Sequence, residues 1–220
     1  MYVDESGNSW NSFWKGVKNV FKVITGTALF LLGLAITVFT FPIACVVPGG
    51  GALTQFGIST MAYGGFMVGS VFDSQIQADM DKIGWNPFNT NESATLNSSK
   101  VSFYKGVPVI NFKSSKINSF SFYCIFLNKR NNPNDITIKH EYGHAVQAQI
   151  LGPLKYCIFI AIPSMVFNLL SRKNRKIDSL YYSLPWERSA DYFGGVNRND
   201  YQKGSLTLSL LYMLLFLLRR

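Results

Sequence analysis

The sequence predicts an α+β fold: a helix packed on a small antiparallel sheet, preceded by an apolar helical hairpin that crosses a membrane. Three observations predict it. Two uncharged apolar runs, Ile24–Val47 and Ala52–Phe72, flank the turn Pro48-Gly49-Gly50-Gly51. Two segments rich in aromatic and β-branched residues, VSFYKGVPVINF and FSFYCIFLNK, follow a polar stretch. Both histidines of the 220-residue chain stand four apart in ITIKHEYGHAVQAQ, residues 136–149.

Residues 1–23 come first. Trp10, Phe13, Trp14, Val17, Val20 and Phe21 recur at spacings of three and four among lysines, the pattern of a short amphipathic helix. Lys15, Lys18 and Lys22 then precede the first apolar run, which exceeds the roughly 20 residues a bilayer requires. The glycine-rich turn carries no charge, so both ends of the hairpin fall on one side, and the lysines favour the cytoplasmic side. Gly65 and Gly69 in the second run have a spacing used for close packing between membrane helices. A signal peptide does not fit, because the apolar core is too long and a second run follows at once. A hairpin buried in a soluble core is the competing reading. The net charge of +9 accompanies the apolar segments and forms no stripe interleaved with aromatics. Membrane lipid, and no nucleic acid, is therefore the expected partner.

A polar, turn-rich stretch around residues 80–99 marks a boundary. The two segments after it read as strands, with Pro108 demoting the first to an edge or a bulge. In the second, Phe120, Phe122, Cys124 and Phe126 line one face. Asn134 or Asp135 caps a helix that starts near Ile136 and stops at Gly152-Pro153. The segment YCIFIAIPSMVFNLL, residues 156–170, is broken by Pro163 and either packs in the core or dips into the membrane. Leu206–Leu218 is a short apolar helix on the core or the membrane surface. Three domains result: residues 1–83 (amphipathic helix and hairpin), 84–205 (the unit carrying the histidines) and 206–220 (a C-terminal apolar helix). Cys45, Cys124 and Cys157 are too few and too far apart for a disulfide framework or a cysteine-based zinc site.

The chemistry lies in His140-Glu141-Tyr142-Gly143-His144, an H-E-x-x-H pattern. Four residues apart on a helix, both imidazoles share a face and can aim at one zinc ion. Glu141 sits about 100° around the helix, in reach of a water on that ion. Zinc lowers the pKa of such a water to about 7, and Glu141 takes its proton as general base. This chemistry needs the three side chains and leaves the two x positions open. By chance the pattern arises in roughly one chain in two hundred of this length, so a solvated polar helix face is the weaker reading.

A third ligand is expected downstream, in PWERSADYFGG, residues 185–195. Glu187 would complete a His-His-Glu set and leave a fourth position open. Asp191, one turn on, would accept a hydrogen bond from a ligand imidazole and fix its tautomer. Asp191 as the ligand instead of Glu187 is the alternative. Tyr181, Tyr182, Arg188 and Tyr192 are candidate oxyanion donors, with no choice among them.

H-E-x-x-H followed by E-x-x-A-D, as in His140–His144 and Glu187–Asp191, resembles the gluzincin zinc metallopeptidases. In particular it resembles membrane-embedded peptidases related to the CAAX prenyl endopeptidase. Residues 100–197 are also similar to the metallopeptidase-like C-terminal modules of bacterial Rhs polymorphic toxins, although this chain has no Rhs repeats. The resemblance implies a zincin-like fold, Zn2+ as cofactor and an edge strand, within FSFYCIFLN, that binds substrate. It assigns His140, His144 and Glu187 as metal ligands, Glu141 as catalytic base and Asp191 to the hydrogen-bonded shell behind them. The expectation is a membrane-associated metalloendopeptidase on a protein or peptide substrate. A toxin role would add secretion as an effector and an immunity protein. The alternative is a membrane-inserting effector with a structural or inactive metal site.

Overall fold

The structure, a computed structural model, describes residues 8–85, 99–131, 135–171, 180–198 and 205–218. Most of the polar boundary stretch, Asn134 and the basic cluster after Ser171 lie outside the described residues.

Helix α1, Asn8–Val46, is one 39-residue rod. The amphipathic segment and the first apolar run are thus a single helix about 58 Å long at 1.5 Å per residue, not two elements. Helix α2, Gly51–Phe72, returns along it. The two backbones touch through glycines seven residues apart. A Cβ on Gly33 would stand 2.2 Å from Met61 N, and one on Gly64 would stand 2.4 Å from Gly26 O. Gly65 and Gly69 face only side chains, of Phe30 at 3.7 Å and Ile76 at 3.5 Å. The close-packing seam is therefore Gly26, Gly33, Gly57 and Gly64, not the Gly65–Gly69 pair expected from spacing.

The opposite side of α2 lies along the rest of the protein. Gln55 Nε2 donates to Tyr123 O (2.8 Å), Ser59 Oγ to Gly106 O (2.8 Å) and Tyr63 Oη to Gly84 O (2.6 Å). Among the described residues, the two helices long and apolar enough to cross a membrane are Trp10–Val46 and Pro153–Ser171. The expected pair was α1 and α2. Thr54, Gln55, Ser59, Thr60 and Ser70 make α2 too polar, and most of these groups are buried. Helix α3, Ser74–Ile83, begins at Asp73, whose carboxylate accepts from Gln75 N and Ile76 N.

Each predicted strand is a hairpin. Strands β1 (Val101–Tyr104) and β2 (Val107–Phe112) are joined by Lys105-Gly106, both at positive φ, as a two-residue type I′ turn requires. Strands β3 (Phe120–Phe122) and β4 (Cys124–Asn128) are joined by Tyr123 alone, at φ 56°. The order is β1-β2-β4-β3, and β2 pairs with β4 in parallel. The sheet is mixed, not antiparallel, because residues 113–119 carry the chain past the neighbouring position to the far edge before β4 returns inside. Asn128 holds that crossing: its side chain bonds Ser114 N, Ser114 O and Ile117 O. Strand β2 is interior despite Pro108, since pairing with β4 starts at Val109 and leaves Pro108 opposite β1 only. Phe120, Phe122, Cys124 and Phe126 do share a face, by the register Phe120↔Phe126 and Phe122↔Cys124, and it is the more open one.

The other face is covered by helix α4, Asp135–Leu151. Val107, Val109, Ile125 and Leu127 pack there against Ile138 and Ala145. After Gly152 come helix α5 (Pro153–Tyr156), a π-helical turn (Cys157–Ala161) and helix α6 (Ile162–Ser171). The turn accommodates Pro163, which has no N–H for the carbonyl four residues back. That carbonyl, Phe159 O, instead accepts from Tyr212 Oη (2.8 Å). Tyr212 belongs to helix α8, Leu206–Leu218, which lies against helix α7, Pro185–Gly194.

The seam predicts a contrast. Gly33→Ala should destabilise the protein by about 1–3 kcal/mol, the usual range for overpacking. Gly65→Ala should be neutral or slightly stabilising, since alanine is the better helix former. Thermal unfolding of both variants in detergent checks this; equal midpoints would refute the seam.

Candidate metal centre

Helices α4 and α7 meet backbone to backbone at two glycines. A Cβ on Gly143 would stand 1.9 Å from Ala190 O, and one on Gly194 would stand 2.0 Å from Lys139 O. These are backbone clashes that no rotamer relieves. Position 143, one of the two nominally open positions of the motif, is therefore closed to any side chain in this protein.

This approach sets Glu187 opposite the histidines. His140 Nε2 lies 3.0 Å and His144 Nε2 3.3 Å from Glu187 Oε2. The three ligand-type atoms all lie within 4.8 Å of one another, and all three residues are buried. Ligands at about 2.05 Å around a tetrahedral ion are separated by roughly 3.3 Å, so these two distances suit a metal. Two buried oxygens, Glu187 Oε1 and Glu141 Oε2, have no hydrogen-bond partner within 3.5 Å, although the Tyr181 and Ser121 hydroxyls interact with the two carboxyl groups. Buried polar atoms are rarely left so, and an ion with its water would satisfy both. The residues fit a divalent cation.

Each imidazole is held from behind at Nδ1. His140 Nδ1 is 2.7 Å from Asp191 Oδ1, and Asp191 Oδ2 accepts from Arg198 Nε at 2.9 Å. His144 Nδ1 is 2.7 Å from Gln147 Oε1. Glu187 thus faces the nitrogens that point to the centre, while Asp191 faces the one that points away. Arg198 also lies over the Tyr182 ring at 3.7 Å, and that ring meets His140 edge-on with centroids 5.6 Å apart.

Of the candidate oxyanion donors, Tyr182 is thus beside His140. Tyr181 Oη bonds Ser164 Oγ (2.8 Å) and is pushed up by burial and by the nearby Glu187 carboxylate. Tyr192 is 51 % exposed. Arg188 Nε is buried with no hydrogen bond.

The charges are strongly coupled. Burial works against a proton on His140, but hydrogen bonds to Asp191 and Glu187 outweigh it and raise its pKa to about 10. Burial likewise opposes the Glu187 charge, and His144 and His140 overcome it, holding Glu187 well below the usual carboxylate range. Asp191 is lowered too, by His140 and Arg198 against its burial. Glu141 goes the other way: burial raises it, and the Glu187 charge adds to that beyond what the two histidines offset.

Gln147, Arg198, Gly143 and Gly194 are the positions at this candidate site that pattern reasoning missed. Gln147 was findable, being three residues after His144 on the same helix face. Arg198 carries no spacing signal. No family model, curated protein or solved structure matches the chain.

Two outcomes follow from this geometry. Without metal, His140 contributes stability fully below its ordinary 6.5 and loses it as pH rises through about 10. Glu187 and Asp191 act oppositely, losing theirs only in acid. The unfolding midpoint of chelator-treated protein should therefore fall between pH 6.5 and 10, and added Zn(II), which requires neutral imidazoles, should restore it. Separately, Gly143→Ala must part the helices by about 1 Å or more to reach ordinary contact. It should weaken divalent-ion binding on the order of tenfold, measured by chelator competition.

Proposed function

We propose that the chain is a zinc-dependent metalloendopeptidase, zincin-like in its catalytic unit and associated with a membrane. One observation carries this reading. Two imidazole Nε2 atoms and a carboxylate converge on one buried point, beside a second buried carboxyl group whose Oε2 has no hydrogen-bond partner. A structural zinc site would close the set with a fourth protein ligand; here the fourth neighbour is a base.

His140, His144 and Glu187 would hold the ion. When bound, zinc supplies Lewis-acid polarisation and acidifies a water to near neutrality. Glu141, raised by its burial, accepts the proton at Oε2 and returns it to the leaving amine. Asp191 and Gln147 keep the imidazoles aimed. Strand β3 is an edge of the sheet, and Ser121 Oγ ties it to Glu141 O at 2.7 Å. An extended peptide can add to that edge. Only Phe120–Phe122 of the longer segment lies at that edge, because β4 is interior, and Ser121 O there already accepts from Tyr156 Oη at 2.9 Å.

Membrane association rests on Trp10–Val46 and Pro153–Ser171, with the lysines and tryptophans at the start of α1 suited to an anionic interface. The largely exposed apolar rod of α1 favours a second reading, a membrane-inserting effector whose metal site is structural or inactive. Delivery as a toxin and an immunity partner rest on the sequence resemblance alone.

Purified protein should contain about one zinc per chain by elemental analysis. Glu141→Gln should keep the metal and lose roughly 100-fold or more in peptide hydrolysis. Glu187→Ala should abolish binding, whereas Asp191→Ala should weaken it by about 10–100-fold. Native protein free of zinc would sink the proposal. Vesicle permeabilisation by the Glu141→Gln protein would favour the second reading.

A further inference from the structure

We infer that Gln147 is a positioning residue that fixes the proton of His144 on Nδ1 and so turns the Nε2 lone pair toward the centre; this rests on reading the cluster as a metal site. The inference follows from a chain of hydrogen bonds in which each donor is determined by the next. Ser189 Oγ donates to Pro185 O at 2.7 Å, so its oxygen is available as an acceptor. Gln147 Nε2 lies 2.8 Å from Ser189 Oγ and 2.8 Å from Trp186 O. A backbone carbonyl can only accept. The amide nitrogen of Gln147 must therefore face α7, and its oxygen must face His144. Gln147 Oε1, 2.7 Å from His144 Nδ1, accepts there, so the ring carries its proton on Nδ1.

The same group would be ambiguous on a surface, where a carboxamide can turn over. Here Gln147 is fully buried, as is Ser189. Reversing the amide would set Oε1 against Trp186 O, two acceptors with no proton between them. The two histidines are thus keyed by different chemistry. His140 is backed by a carboxylate that Arg198 neutralises. His144 is backed by a neutral amide whose orientation is set by α7, the helix that also carries Glu187. One helix therefore supplies the third ligand and, through Gln147, the tautomer of the second.

Zinc affinity and the His144 tautomer test this together. Chelator competition with Zn(II) should show Gln147→Leu weakened by about 10–100-fold. Gln147→Glu still presents an acceptor to Nδ1. It should stay within a few-fold of wild type in affinity while losing thermal stability, because Trp186 O is left without its donor. Long-range 1H–15N correlation on the zinc-loaded wild type should place the proton of His144 on Nδ1. Equal zinc affinity for wild type and Gln147→Leu overturns the inference while leaving the metal site intact. So does an equal loss in both variants, which would mark Gln147 as a packing bridge only. If Gln147→Leu does not fold, the wild-type spectrum decides, and a proton on Nε2 overturns the inference. Wild-type protein that takes up no zinc overturns the metal reading itself and this inference with it.

Discussion

How closely two helices approach decides what this protein can hold. With Gly143 against Ala190 O and Gly194 against Lys139 O, α4 and α7 pack backbone to backbone at two points. That separation brings Glu187 to 3.0 and 3.3 Å from two imidazole nitrogens. A side chain at either glycine would prop the helices apart, and a convergent set would become three unrelated buried groups. The hydrogen bonds of Asp191 and Gln147 serve the same contact, since each crosses from one helix to the other. The helix pair is therefore one unit, in which fold and candidate site are held by the same interactions.

The unit is supported by elements that would otherwise read as an anchor. Helix α2 bonds the β3–β4 turn through Gln55, and the Tyr123 hydroxyl at that turn donates to Ala148 O on α4. Tyr123 holds a left-handed conformation that costs a non-glycine residue on the order of 1 kcal/mol or more, and the bonds on both sides of it account for its persistence. On the far side, the carbonyl freed by Pro163 is taken up by Tyr212, which fastens α8 to the Pro153–Ser171 helix. Apolar surface remains on the outside of α1, α6 and α8, while Ser164 of α6 and Tyr212 of α8 turn inward to bonds with Tyr181 and Phe159 O.

What could be read from the sequence was whatever depends on local spacing. The histidines four apart, the helix stop at Gly152-Pro153, the C-terminal helix at Leu206–Leu218 and the shared face of Phe120 to Phe126 are all local. What could not be read depends on which backbone meets which. Lys105-Gly106 and Tyr123 split two apparent strands because of their positive φ, and a tyrosine gives no sign that it will adopt one. The parallel pairing of β2 with β4 is set by where residues 113–119 lead. Gly143 looked like a free position because its constraint comes from Ala190, 47 positions away by number. Glu187 against Asp191 was undecided for a similar reason: both share a helix face, and only the placement of α7 says which of them meets Nε2 and which meets Nδ1.

The two buried glutamates show how placement becomes chemistry. Glu141 and Glu187 begin as the same carboxylic acid and are almost equally shut off from water. Glu187 has two imidazoles in hydrogen-bond range, so its charge is held against burial. Glu141 has the same histidines only at Coulombic range and Glu187 as a like charge, so burial prevails and its proton affinity rises. Environments that push two carboxyls apart in this way suit the roles proposed for them, one as a permanent anion and one as a proton acceptor. An exchange of the two tasks would require Glu141 to reach across its own helix to both Nε2 atoms, which residue spacing on α4 forbids. The division of labour proposed for the two carboxyls thus follows from where the fold places them.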